Sequence, residues 1–251
     1  MQRGLPNQDA HRVRSANGGS TVILAAADGH GDQRCVRADV GSQLAVHIAV
    51  ASARQLLERP DGTGLADLAA SLPAAIVADW NVAVAKHYSR HPWTETERGR
   101  MGAAASHREA YGSTVLIAVA CEADLLLAQI GDGDILVVAA DGVTRRPLQP
   151  QTGPVGGETW SVAAEDAAYR AVTYCGSTDD VRMLLMATDG YANSFASPEW
   201  EEALGADYLR LIDTRGAAWL AKSLPSWVEA SAAAAGDDVT VLIALRRRAD
   251  A

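Results

Sequence analysis

Cysteine is scarce in this sequence, and the three present, Cys35, Cys121 and Cys175, have no CxxC spacing and form an odd count. That argues against a disulfide framework or a zinc site and points to free thiols in a reducing compartment. No charged-then-apolar secretory segment is visible at the N-terminus. The longest apolar stretches break off well before the ~18 residues of a membrane span. A cytoplasmic protein that does not cross a membrane is therefore expected. An excess of basic charge is also missing: 22 Lys and Arg face 31 Asp and Glu, for a net charge of −9. A general nucleic-acid-binding surface is not expected on such a chain. No internal repeat or linker-like run divides the 251 residues, a length that suits one sizeable domain with a substantial core. Nothing in the sequence fixes an oligomeric state.

What the sequence does contain is acid at the ends of apolar runs. Ser20–Asp32 (STVILAAADGHGD) begins as a continuous apolar segment of the kind buried on both faces, then closes on Asp28-Gly29-His30-Gly31. A single Asp-Gly after a strand is most often just a turn. Here the pattern recurs. Leu184–Gly190 (LLMATDG) is again an apolar run closing on Asp-Gly, and Gly236–Leu245 (GDDVTVLIAL) opens with paired aspartates. Three buried strands, each with an Asp at one end, describe a carboxylate cage able to hold a divalent cation.

Along the chain, Gln33–Arg59 carries Val36, Val40, Leu44, Ile48 and Ala51 at helical spacing and stops at Pro60-Asp61-Gly62. A second helix is predicted from about Leu65 to His87, kinked or restarted at Pro73. Arg90–Ala110 is polar and reads as a loop. Tyr111–Cys121, Leu125–Ile130 and Ile135–Ala139 read as strands with connections short enough to favour antiparallel neighbours. Pro147–Glu158, with three prolines and three glycines, reads as a mobile loop. Its Gly153–Gly157 run lacks the lysine and following helix of a phosphate-binding loop. Strand character resumes at Ala171–Cys175 and Arg182–Ala187. Two helices follow, Pro198–Leu211 and Gly216–Ala233, the latter interrupted at Pro225, and then a last strand, Val239–Leu245. The order predicts one α/β (α+β) sandwich with helices outside antiparallel sheets.

Six segments carry a family resemblance: Asn7-Gln8-Asp9-Ala10, Ala27–Gly31, Tyr111–Thr114, Gly131–Asp134, Ala187–Gly190 and Asp237–Val241. Spread over nearly the whole chain in order, they resemble the metal-dependent type 2C protein serine/threonine phosphatases, most of all a bacterial branch. The resemblance implies two packed, mainly antiparallel sheets flanked by helices, with two Mn²⁺ or Mg²⁺ ions at one end. It implies that Asp28 bridges both ions and that the Gly29 carbonyl ligates one of them. Asp189 and Asp237 would complete the first ion's shell, and Asp9 would hold the second directly or through water. Two such ions ~3.5–4 Å apart can supply hydroxide near neutral pH and offset phosphoryl charge. His30 is the implied general acid for the departing seryl or threonyl oxygen.

Three departures from the family pattern stand out. The phosphate-binding arginine of relatives has Arg3 as its only upstream candidate here, at uncertain spacing. The family also usually has more chain before the first motif, so a truncated N-terminus is expected. Asn193 stands where many relatives have an acid, which argues against a strong third metal site on Asp132 and Asp189. Ser113 and Thr114 read as packed hydroxyls without a base, and His87 and His91 as helix-end or solvent-facing residues. The implied partners are phosphorylated proteins, a serine/threonine kinase or its targets. The rival is a catalytically silent regulatory or phosphoprotein-binding module of the same fold. A two-metal nuclease is disfavoured by the acidic balance.

Overall fold

A computed structural model describes residues 6–58, 64–102, 106–149, 151, 159–197 and 199–246, apart from the side chain of Asn17. Arg3, the Pro60-Asp61-Gly62 stop and most of the Pro147–Glu158 loop lie outside the described residues. Two wholly antiparallel sheets face each other. The first has the order β1 (Ala10–Ala16), β2 (Thr21–Ala27), β3 (Val115–Ala120), β4 (Asp124–Ile130), β7 (Val172–Ser177). The second runs β6 (Thr144–Arg145), β5 (Asp134–Ala139), β8 (Val181–Ala187), β9 (Val241–Leu245). On the first sheet lie α1 (Ala38–Leu57) and α2 (Leu65–Arg90), and on the second α6 (Trp200–Arg215) and α7 (Ala217–Ala235). Short helices α3 (Glu95–Met101), α4 (Ala167–Arg170) and α5 (Asp189–Ala192) sit in the connections.

The period of two in each strand explains why the apolar runs are continuous. Leu24, Ala26, Leu116 and Ala118 point between the sheets, where they meet Ile135, Val137, Leu184 and Met186. Their neighbours Ile23, Ala25, Ile117 and Val119 point the other way, under α1 and α2. In the second sheet Leu136, Val138, Met183 and Leu185 face α6 and α7. Strands buried on both faces need no polar alternation.

Helix α2 buries an i, i+4 stripe of Leu68, Leu72, Ile76, Trp80 and Val84. By length and composition alone it is apolar enough to cross a bilayer, but in this fold that stripe belongs to the core under the first sheet. In α1 the deepest face is Ala38, Gly41, Ala45, Ala49 and Ala53. The larger Val36, Val40, Leu44 and Ile48 are only half-buried beside it, because small residues let the helix approach its neighbours. A side chain at Gly41 would run into the Tyr111 carbonyl, and the Gly41 carbonyl accepts the Trp80 indole N–H at 3.1 Å.

The sequence reading needs several corrections. Helices α2 and α7 run unbroken through Pro73 and Pro225. A proline removes one backbone bond, and here the packed residues on either side hold the helix across the gap. Within Arg90–Ala110, α3 forms on a capping box. The Glu97 N–H donates to Thr94 Oγ1 at 3.2 Å, and Glu97 Oε2 accepts the Thr94 N–H at 2.8 Å. The edge strand β1 has no apolar run because most of its residues are exposed.

Candidate metal centre and substrate cleft

Strand register brings the acids to one end of the sandwich. β1 begins where β2 ends (Ala10 opposite Ala27), so Asp9 lies beside Asp28. β8 ends where both β9 and β5 begin (Ala187 opposite Val241 and Asp134), so Asp189 lies beside Asp237, Asp238 and the Asp132 turn. Antiparallel pairing alone thus converts acids far apart in sequence into one cluster.

Backbone contacts then fix each group. The Asp28 N–H donates to Thr114 Oγ1 at 2.9 Å, and its carbonyl accepts the Thr114 N–H at 2.8 Å. Gly29 has no space for a side chain: a Cβ would lie 2.7 Å from the Ala38 carbonyl oxygen. Its N–H donates to the Gln8 carbonyl at 3.1 Å, which ties the Asp9 segment to the Asp28 turn. The Thr188 hydroxyl donates to Asp9 Oδ2 at 2.8 Å and accepts the Thr240 N–H at 2.9 Å. Asp238 Oδ2 accepts the Gln8 N–H at 2.8 Å. Asp189 opens α5, where Asn193 donates to its Oδ2 at 3.1 Å.

These carboxyls disturb one another. Burial raises Asp28 well above the usual carboxylate range, and the charges of Asp9, Asp189 and Asp237 push the same way. Burial lifts Asp9 to about 6, against hydrogen bonds from Thr188, Thr240 and Asp28 that pull it down. Asp189 is raised by burial, then by Asp132 and Asp237. Asp9 Oδ1 is buried with no hydrogen-bond partner. Among the described residues, no three Asp, Glu, His or Cys side chains stand ready to chelate one ion. The carboxyls instead crowd one another, Asp28 acting electrostatically with Asp9 and Asp189. An orphaned carboxylate oxygen within an all-oxygen, mutually repelling set fits a hard divalent cation such as Mg²⁺ or Mn²⁺.

The Gly131–Asp134 turn is braced from inside. Gln129, itself buried, donates to the Gly131 and Gly133 carbonyls at 2.8 and 2.7 Å, and Gly131 takes a positive φ of 115°. Thr159 donates to Asp132. Asp134, 3% exposed, pairs with Arg146 at 2.9 Å, and Arg146 also pairs with Glu201.

Beside the acids opens a cleft of about 780 Å³ that His30, Asp32, Cys35, Arg108, Thr159 and Ser161 help to line. His30 is anchored by its N–H to the Gly112 carbonyl at 3.0 Å, and its Nε2 is buried without a partner. Burial lowers the His30 pKa, while Asp132 and Asp32 pull it back up. Burial pushes the Cys35 thiol up to about 11, so it is no activated nucleophile.

A family model described as protein phosphatase 2C matches residues 1–229. The chain belongs to the protein phosphatase 2C family. Its fold resembles that of a solved bacterial serine phosphatase, with a TM-score of 0.64 and 14% identity over 100% of this chain and 96% of the other. The serine/threonine phosphatase Stp1 from Staphylococcus aureus gives a TM-score of 0.62 at 14% identity, covering 99% and 92%. For the Mycobacterium tuberculosis serine/threonine phosphatase PstP/Ppp the TM-score is 0.56 at 18% identity, covering 97% and 93%. A comparison with curated protein sequences gives no match. Members of the protein phosphatase 2C family typically bind two metal ions.

Several residues of the candidate site escape a reading by motif. The Thr188 relay to Asp9 spans 179 positions, and only the shared TDG and DDVT motifs hint at it. Thr159, which donates to Asp132, carries no motif signal at all. His91 caps the end of α2 as expected, its N–H donating to the His87 carbonyl at 2.9 Å and its side chain exposed. His87 is half-buried with Nδ1 2.7 Å from the Tyr111 hydroxyl, and the His91 carbonyl accepts Arg37 at 2.6 Å, so this helix end also joins a network behind Gly112. Ser113 and Thr114 are buried hydroxyls; Ser113 donates to the Thr114 carbonyl at 2.6 Å and Thr114 holds Asp28.

Proposed function

We propose that this chain is a Mn²⁺- or Mg²⁺-dependent phosphoprotein phosphatase that hydrolyses phosphoserine and phosphothreonine in the cytoplasm, opposing a serine/threonine kinase. One observation carries the reading. Strand pairing gathers Asp28, at the mouth of a strand buried on both faces, with Asp9, Asp189 and Asp237 from three other segments, and burial first, then their charges, raise it. Asp28 would serve both ions, with Gly29 through its carbonyl, Asp189, Asp237 and Asp9 completing the donor set. Divalent ions held there would supply a nucleophile near neutral pH and neutralise charge on the phosphoryl oxygens.

The chain's own residues supply the rest. The Thr188–Thr240 relay fixes Asp9, and Thr114 fixes Asp28. His30 lines the cleft with a buried, unpartnered Nε2, which supports a role for it in giving a proton to the departing oxygen. Hydrolysis of p-nitrophenyl phosphate tests the reading. Turnover should require Mn²⁺, vanish with EDTA, and be nearly eliminated by Asp28→Asn or Asp189→Asn. The absence, among the described residues, of a ready-made three-ligand chelate favours a second reading, the silent binding module. A folded protein without turnover at any Mn²⁺ concentration would establish that one instead.

A further inference from the structure

Two arginines line the cleft beside His30, and they differ in how their charge is met. Arg34 lies 3.2 Å from Asp32, and Glu109 also acts on it electrostatically. Arg108 has no carboxylate within ion-pair distance among the described residues. One of its terminal nitrogens donates to the Ala164 carbonyl at 3.0 Å, and its Nε is buried with no acceptor. A desolvated donor without a partner is costly to a fold, and a guanidinium presents donors in a fork that fits a carboxylate.

Position adds to chemistry. The turn that begins at Arg108 ends at Gly112, whose carbonyl holds His30. A Cβ at Gly112 would lie 2.9 Å from the His30 ring and 3.0 Å from Cys35 Sγ, so the His30 ring packs directly against the Gly112 backbone, which forms part of the cleft floor between His30 and Arg108. A phosphorylated side chain pointing toward the acids would leave its flanking peptide lying over that floor toward Arg108.

We propose that Arg108 is a specificity-determining residue that anchors an acidic side chain flanking the phosphorylated residue. This rests on the phosphatase reading above. Glu165, on the same cleft, repels an acid placed in the wrong register, so the preference falls on one flanking position rather than on acidity in general.

The test uses the Mn²⁺-loaded full chain and two kinds of substrate. One is p-nitrophenyl phosphate, too small to span from the acids to Arg108. The other is a set of phosphoserine peptides in which a single Asp is scanned through the flanking positions of an alanine parent. Wild type should favour one Asp position by about tenfold, the equivalent of about 1.4 kcal/mol. Arg108→Ala should erase that preference through KM, leave kcat for the parent peptide in place, and change p-nitrophenyl phosphate kinetics by less than about twofold. Arg108→Lys should keep part of the preference. Should Arg108→Ala fail to fold, Arg108→Gln keeps a donor for the Ala164 carbonyl without the charge, and the same loss is expected. A wild type blind to Asp position overturns the proposal. So does an Arg108 variant that slows p-nitrophenyl phosphate and every peptide alike, which would make Arg108 a brace for the Ala164 segment. No turnover of p-nitrophenyl phosphate by wild type would instead sink the phosphatase reading, and the proposal with it.

Discussion

Glu97→Gln is a sharp test of how the wall behind the site is held. Glu97 meets Arg37 in a fork, with Nε–Oε1 at 2.7 Å and a terminal nitrogen to Oε2 at 3.0 Å. The side chains are 10% and 21% exposed. Arg37 also donates to the His91 carbonyl and to the Tyr111 hydroxyl at 2.8 Å, so it joins the α1 entrance, α3 and the turn before Gly112. The Arg37 guanidinium holds Glu97 down from 4.5 to about 2. At about 1.4 kcal/mol per pKa unit the ionised carboxyl is favoured by roughly 3 kcal/mol, which partial exposure reduces to about 2. Glutamine keeps the shape and loses the charge, leaving Arg37 without its counter-ion. The melting temperature of the variant at neutral pH should fall by about 4–8 °C for a chain of this length. The sign with pH follows from a depressed carboxylate. Its contribution is complete above the unfolded-state pKa near 4.5 and fades as pH falls toward about 2. Thermal melts of both proteins from neutral pH down to mildly acid conditions should show a constant gap that narrows below that point. A variant melting within about 1 °C of wild type at neutral pH would refute the reasoning.

Two further outcomes can be checked directly. Gly41→Ala drives a methyl group into the Tyr111 carbonyl and should cost about 3 kcal/mol in urea denaturation, with lowered turnover because Gly112 and His30 shift with Tyr111. His30→Asn should slow hydrolysis of a phosphoserine peptide by about 10²-fold or more, yet spare p-nitrophenyl phosphate, whose leaving group departs without a proton; equal losses on both would remove the general-acid role.

How much was legible in the sequence depended on whether the cause was local. The run Val22–Ala27 reads as a two-face buried strand because every residue in it is apolar, and the sheets bear that out. Antiparallel pairing of β3 with β4 follows from the short Glu122–Asp124 connection, but the equally short Gly131–Asp134 turn corrects the same expectation for β5: it carries the chain from one sheet to the other, so β5 pairs with β8 and not with β4. Where a small residue does the work, pattern misleads: α1 reads as a Val-Leu-Ile stripe, but its closest approach is through Gly41 and a row of alanines. Helix α3 was hidden because seven mostly polar residues give no periodicity, although Thr94 and Glu97 spell its capping box. Long-range polar contacts such as Thr188 to Asp9, or Arg37 to Tyr111 and Glu97, exist only once the chain is folded, and no spacing rule encodes them.

The central claim is that acids from separate strands form one cation site. Isothermal titration of Mn²⁺ into EDTA-stripped protein tests it most directly, with Asp28→Asn alongside and circular dichroism to show that both are folded. The account predicts two ions per wild-type chain and loss of both in the variant, since Asp28 is the donor it proposes they share. A folded wild-type chain that takes up no Mn²⁺, or an Asp28→Asn variant that binds it undiminished, would contradict it.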